Sequence, residues 1–382
     1  MSDRNSFAVL RKPLVAATLL ASVGAVPAVS AQGSGVVLEE VVVTAQRREQ
    51  SLQEVPMAVS AFTRQQLQDL QADNLDSIQG AVPNLNLVQG RGSNSSVNIF
   101  LRGVGQPDAL QSFDPAVGVY LDDVYMSRIQ GAMFKLYDIE RIEVLRGPQG
   151  TLYGKNTPGG AIKLITRNPG EELEASASLT LGNYDRVQGS AYVSGPITDT
   201  LSAGISVLHD ERDGFVTDPV DGREYNDDST TVARIKSIWS PTDRLEVTFS
   251  ADYTKEDVAL TLGSAEAPLI SVDLAGGAPV RFVPSGDNWD FDSRTSLGDA
   301  DGQQTDHWGA NLTLAWELSE AMTFKSITAY RELESELFID IDATTLELGD
   351  VFVAIDQDQF SQEFQILGDN NRGLTWVAGA YY

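Results

Sequence analysis

The run "RGPQGTLYGKNTPGG", residues 146–160, sets five glycines and a Gly-Lys pair where a phosphate-binding loop could sit. Such a loop wraps phosphates with successive backbone N–H groups, which needs a glycine five residues before Gly154 and a magnesium-binding hydroxyl directly after the lysine. Gln149 and Asn156 stand at those two positions, so both requirements fail. A second candidate, "SGDNWDFDSRTSLGDADGQQTD", offers Asp287, Asp290, Asp292, Asp299, Asp301 and Asp306 as oxygen ligands for calcium. Counted back from Gly302, Asp301 and Asp299 fit an EF-hand-type loop but Leu297 breaks it, and a solvated acidic loop is the better reading. There is no cysteine, and the two histidines, His209 and His307, cannot build the usual zinc clusters. Ser-His-Asp and HExxH patterns are also missing. The expectation is a protein that is no enzyme and uses neither metal nor cofactor.

The glycine-rich run therefore needs a different explanation, which the elements around it supply. Over 382 residues the formal net charge is −27, which argues against nucleic-acid binding, since contact with phosphate backbones is driven by Lys and Arg. Arg4, Arg11 and Lys12 precede an apolar stretch, Leu14 to Val26, and the small-residue end "VPAVSA". That order reads as a secretory signal cut after Ala31, too short in its apolar part to span a membrane as a helix. In "LEEVVVTAQRR", residues 38–48, the β-branched run Val41, Val42, Val43, Thr44 favours an extended backbone. With Gly- and Gln-rich segments on either side it reads as an exposed strand on a flexible tether, open to pairing by another protein's sheet edge; the alternative is the first strand of the next domain.

Residues 52–170 read as one mixed α and β domain. It starts with the strand-like "VPMAVSAF" and a helix opened by the Thr63/Gln66 capping pair, followed by a short helix near Leu75 to Ala81. Then come "VNIFLRG", a two-strand pattern around Asp122 and Asp123, and "RIEVLRG". Beyond residue 171 a dyad alternation takes over: in "RLEVTFSADY", Leu245, Val247, Phe249, Ala251 and Tyr253 alternate with Glu246, Thr248, Ser250 and Asp252. About nine such segments are long enough to cross a bilayer when tilted. Their connections alternate between short turns and long polar excursions near 212–229, 256–305 and 332–356, and Trp239, Tyr253, Trp308 and Tyr330 fit interfacial girdles. A soluble β-sandwich is the competing architecture, since it alternates too.

Taken in order, "EEVVVTAQRR", "IFLRG" and "YDIERIEVLRGPQGTLYGKNTPGGAIKLITRNP" resemble the TonB box, a plug strand and the plug signature of the TonB-dependent outer-membrane receptors. The resemblance covers nearly everything after the signal. It implies an α+β plug domain followed by a transmembrane antiparallel β-barrel, divided as 1–31 signal peptide, 32–51 TonB box and linker, 52–170 plug and 171–382 the first part of the barrel. Glu40, Val41, Val42, Val43, Thr44 and Ala45 would take up TonB, which is powered by an inner-membrane energy-transducing complex. Arg102 and Arg146 match plug arginines that pair with barrel glutamates, which are expected here in the absent part of the barrel; pairing with a plug carboxylate such as Glu140 or Glu143 is the alternative. Gly103, Glu143, Gly147, Gly150, Gly154, Gly159 and Gly160 belong to the plug signature, the glycines shaping tight turns and close approaches. Tyr120 and Tyr125 are candidate ligand contacts, with core packing as the alternative.

The implied function is active uptake of a scarce ligand, most often a ferric siderophore, with cobalamin, another metal chelate or an oligosaccharide as alternatives. The implied place is the outer membrane, in contact with its lipid and lipopolysaccharide, with the box in the periplasm. A receptor that only signals is a further alternative. The family barrel has about 22 strands, so about nine strands mark an N-terminal part, expected to be unable to transport alone; a non-transporting remnant is the alternative.

Overall fold

The computed structural model describes residues 41–90, 92–106, 113–128, 130–132, 135–264, 269–271, 280–282, 290–298, 302–347, 349–370 and 373–382. The expected signal segment and Glu40 lie outside the described residues, as do Asp287, Asp299 and Asp301 of the acidic loop.

The box segment forms β1 (Val42–Val43), which pairs antiparallel with β2 (Gln50–Ser51). The plug sheet follows. β3 (Val59–Thr63) runs into α1 (Arg64–Asp69) through a complete capping box, in which Thr63 and Gln66 each take the other's backbone N–H. A 3₁₀ turn (Leu75–Ala81) buries Leu75 and Ile78, and β4 (Leu85–Gln89), β5 (Val97–Leu101) and β6 (Val104–Gly105) make a small sheet of their own. β7 (Val117–Leu121) and β8 (Val124–Met126) form a hairpin, and β9 (Ile139–Arg146), α2 (Gly150–Tyr153) and β10 (Gly160–Thr166) close the domain. The main sheet has the order β3-β9-β10-β7-β8, with β10 antiparallel to β9 and parallel to β7. Strands buried on both faces need near-continuous apolar runs. The central strand meets this with Ala161, Ile162 and Leu164, each with no solvent exposure, but carries Lys163 between them at 1 %.

Among the described residues nine long strands build the wall: β11 (Glu174–Leu181), β12 (Val187–Thr198), β13 (Leu201–Arg212), β16 (Asp228–Thr242), β17 (Leu245–Val258), β20 (Gln303–Ser319), β21 (Met322–Ile339), β22 (Val351–Asp369) and β23 (Thr375–Tyr381). Short ribbons β14 (Val216–Thr217), β15 (Glu224–Tyr225), β18 (Leu269–Ser271) and β19 (Val280–Phe282) lie in the long loops. Every wall strand pairs antiparallel with its neighbour in sequence, and β11 and β23 are the two edges.

The wall is apolar outward and polar inward. Ile205, Val207, Ile235, Phe249, Trp308, Leu312 and Phe364 are exposed, whereas Ser206, Asp210, Arg234, Lys236, Asn311 and Arg331 on the opposite face are buried. A soluble sandwich packs its apolar faces together, so this inversion selects a membrane wall around a plug. The strands run further than the sequence pattern suggests, to Ile339 on β21 and back from Val351 on β22. Glu332, Glu334 and Glu336 on β21, paired with Asp358, Asp356 and Ala354, carry charge into these extensions, which is why they read as loop. Hydrogen-bonded ribbons tolerate such charge once clear of the apolar zone.

Candidate functional site

The box is seated in the plug, not free. Val43 and Ala45 have no solvent exposure and pack with Tyr120, Leu145, Tyr153 and Ala161, leaving Val42 as the outward residue at 41 %. Burying one such valine is worth about 1.5–3 kcal/mol. The edge of the box not taken by β2 is covered by side chains. Glu143, fully buried on β9, accepts the Thr44 N–H at 2.9 Å, while Lys163 Nζ and the Tyr153 hydroxyl donate to the Thr44 carbonyl at 3.3 Å and 3.2 Å. Tyr153 also donates to the Ala45 carbonyl at 3.0 Å. These groups occupy the donors and acceptors an added strand would need. The expectation of an exposed strand on a flexible tether is thus corrected: residues 46–51 are a turn and a strand, and Arg47 is 8 % exposed. The reason lies far along the chain: Val43 and Ala45 fill an apolar gap beside Tyr153, 108 residues beyond Ala45, that would otherwise open to water.

Charge ties this seat to the wall. Arg47 stacks 4.4 Å from the Tyr153 ring centre and pairs with Asp123 at 3.3 Å and with Glu363 on β22 at 3.4 Å. Asp123 also holds Lys163 at 3.0 Å and Lys325 on β21 at 2.9 Å. Burial alone would raise the Asp123 carboxyl, but Lys163, Lys325 and Arg47 together hold it well below the usual carboxylate range. Burial pushes the Tyr120 and Tyr153 phenols up, so both stay neutral donors. Lys325 and Glu363 lie near the ends of their strands that meet the short turns, the periplasmic end of such a wall.

Further plug-to-wall pairs run round the described wall. Lys135 bridges Asp210 and Asp228 at 2.8 Å each, Asp138 holds Arg234, and Asp122 faces Lys236 at 3.4 Å. At the long-loop end the Asn94 N–H donates to Gln303 Oε1 at 2.9 Å. Sequence reading missed these groups, although Arg234 and Lys236 at dyad spacing inside an apolar-alternating strand are the signal that would have found them. The arginines it named make no such pair with the described part of the wall. Arg102 is exposed at a positive φ of 54°, Arg146 is half-buried with an unpartnered Nε, and neither makes an ion pair among the described residues. Glu143, offered as an alternative partner, takes Arg141 at 2.8 Å instead.

Tyr120 is 2 % exposed, its hydroxyl donating to the Tyr153 carbonyl inside the box seat, so the structure corrects its ligand-facing expectation to the packing alternative. Tyr125 is half-buried, receives Asn156 Nδ2 at 3.0 Å, and lines a cavity of about 690 Å³ with Arg47, Phe360, Glu363 and Tyr381. A second cleft, about 460 Å³, opens at the long-loop end between Gln89, Gly90, Thr261 and Asp340. Beside it Asp340, Asp342 and Asp350 offer oxygens within 4.8 Å of one another.

Among the signature glycines, Gly160 combines a positive φ with the closest approach. It has φ +148°, and a Cβ there would lie 2.2 Å from the Leu145 carbonyl oxygen. Gly150 has open space and a negative φ, so the turn-shaping expectation is not met there. Lys155, the apparent phosphate lysine, is 84 % exposed and pairs with Asp114 at 3.0 Å.

A plug with a seated N-terminal strand, packed against an antiparallel wall that is apolar on its outside, is the architecture of an outer-membrane plugged barrel. Residues 51–161 match the family model described as TonB-dependent Receptor Plug Domain. Residues 51–161 are thus a TonB-dependent receptor plug domain, and the chain as a whole is similar to outer-membrane receptors of that kind. It is 28 % identical over 257 residues to a pesticin receptor of Yersinia enterocolitica, covering 66 % of this chain and 37 % of that protein. It is 26 % identical over 319 residues to a ferric-pyoverdine 358 receptor of Pseudomonas putida, covering 82 % and 35 %. Its fold is similar to the crystal structure of the ferric yersiniabactin uptake receptor of Yersinia pestis, with a TM-score of 0.68 at 22 % identity over 85 % of this chain and 48 % of that one. The chain thus spans less than half the length of each of these three proteins.

Proposed function

We propose that this chain forms the plug and part of the wall of a receptor that actively imports a ferric siderophore, with TonB pairing to the Val41–Ala45 segment. The observation that carries the proposal is the seated box: a segment paired with β2 on one edge, met on the other by side chains at Thr44 and Ala45 where a partner strand would dock, and tied by charge to both plug and wall. Such a segment is built to be handed over. The pyoverdine and yersiniabactin names of similar proteins support ferric siderophore as cargo. Cargo would enter at the cleft beside Gln89 and Thr261 on the long-loop side, and the outward apolar residues would face lipid and lipopolysaccharide. On this reading the chain carries no catalytic residue, and energy comes through TonB.

The test has two arms. A peptide of residues 38–48 is titrated with the periplasmic domain of TonB, with saturable binding expected and loss of binding on replacing Val43 by Pro. Radioactive-iron uptake by iron-starved cells is then compared with and without the gene, using several ferric siderophores. Absence of peptide binding overturns the TonB reading, and growth supported only by cobalamin or an oligosaccharide overturns the cargo.

A further inference from the structure

The β7–β8 hairpin turns on two residues only, since Leu121 is paired with Val124. Such a turn needs a positive φ at both central positions, and Asn-Gly or Asp-Gly is its usual sequence. Here it is Asp122–Asp123, with φ of 47° and 67°. Glycine would fit the second position with less strain, so the second carboxylate calls for another reason. Its contacts provide one. Asp122 accepts the Thr166 N–H and hydroxyl at 2.9 Å and 2.6 Å and faces Lys236 on β16. Asp123 is shared among Arg47 of the box turn, Lys163 beneath Thr44, and Lys325 of the wall. Lys163 has 1 % exposure, and its other carboxylate, Glu143, lies further away at 3.9 Å. Lys325 makes no hydrogen bond or ion pair with residues 41–47, so among the described residues its link to the box runs through Asp123.

We infer that Asp123 is a positioning residue that couples the wall strand β21 to the seat of the box, so that shifting or removing Lys325 loosens Thr44 and Ala45 at a distance. This rests on reading Val41–Ala45 as the segment handed to TonB, but the coupling is measurable without TonB.

The chain has no cysteine, so one introduced thiol reports alone. Ala45, fully buried, is replaced by Cys in the full chain in detergent micelles, and maleimide labelling is timed in that background and with Asp123→Gly or Lys325→Met added. Asp123→Gly creates the Asp-Gly sequence the turn prefers, so a purely structural role predicts equal or slower labelling. The coupling role predicts labelling faster by roughly tenfold in both variants, the factor expected when one charge-assisted hydrogen bond is lost, with amide protection retained at Val119 and Leu121. Unchanged labelling in Lys325→Met overturns the inference, as does acceleration accompanied by loss of hairpin protection. If Asp123→Gly fails to fold, Lys325→Met decides alone. TonB-domain binding to the same samples separates this result from the reading it rests on: faster labelling without binding sinks the docking role and leaves the coupling standing.

Discussion

Replacing Glu143 by Gln isolates the charge in the box seat. The carboxylate is fully buried, accepts Thr44 N–H at 2.9 Å and Arg141 Nε at 2.8 Å, and has Lys163 Nζ at 3.9 Å. Gln keeps the shape and one acceptor but loses the charge. Hydrogen bonds to charged groups contribute about 1.5–3 kcal/mol and neutral ones about 0.5–1.5, so the Thr44 N–H and Arg141 bonds lose about 1 kcal/mol each, and the longer bond from the Thr44 hydroxyl, at 3.2 Å, loses less. Arg141 is 21 % exposed and can turn to water, which returns part of its share. Lys163 keeps Asp123. The expected net loss at the seat is therefore about 1–2 kcal/mol, or about 5–30-fold more unseated box. Hydrogen exchange reads this directly at the Thr44 amide, with Val144 and Ile162 as internal references in the sheet. Unchanged protection at Thr44 would refute the claim that Glu143 holds the box. Equal loss at all three amides would show that Glu143 supports the sheet and not the box.

Gly160→Ala should cost the plug about 3–5 kcal/mol, because a Cβ beside the Leu145 carbonyl adds overpacking to a backbone that favours glycine; a loss below about 1 kcal/mol in urea denaturation contradicts this. Arg102→Ala should change stability by no more than about 0.5 kcal/mol, while Arg234→Ala, which strands the buried Asp138, should cost about 3–5. Comparable losses for the two would show that Arg102 is paired. The depressed Asp123 carboxyl gives the seat a pH dependence of known sign. A folded pKa below the unfolded value contributes stability that is full above the ordinary value of 3.8 and is lost as pH falls through the folded one. Thr44 protection, corrected for intrinsic exchange, should therefore hold from neutral pH down to about pH 5 and weaken only in stronger acid; weakening already near pH 6 contradicts the assignment.

The wall was legible because its period of two is a local property: Leu245 to Tyr253 sort by face without knowledge of any partner. The capping box at Thr63 and the hairpin around Asp122 were legible for the same reason, as each is set by residues within a few positions. What stayed hidden was contact between distant segments. Thr44 meets Glu143 across 99 residues and Asp123 meets Lys325 across 202. Val41 to Ala45 therefore looked exposed, since nothing nearby in the chain covers them. Arg102 and Arg146 were singled out because resemblance pointed to them, while Lys135, Arg234 and Lys236, which do pair between plug and wall, carry no family motif. Tyr120 illustrates the same limit, since its strand position did not disclose that Tyr153 folds back over it.

The strand order of the plug has a mechanical consequence. The first sheet strand after the box, β3, lies at the edge and has a single neighbour, β9, matched through five residue pairs from Val59↔Leu145 to Thr63↔Arg141. A pull entering at Val43 meets that one ladder before any other in the sheet. Peeling an edge strand breaks its pairs in turn, whereas drawing out a central strand would have to break two ladders together. The four strands β9, β10, β7 and β8 keep their mutual pairing when β3 leaves, and with it the hairpin carrying Asp122 and Asp123 to the wall. The plug is thus arranged to yield from one side, with the remainder left in register as a template onto which the departed strand can fold back.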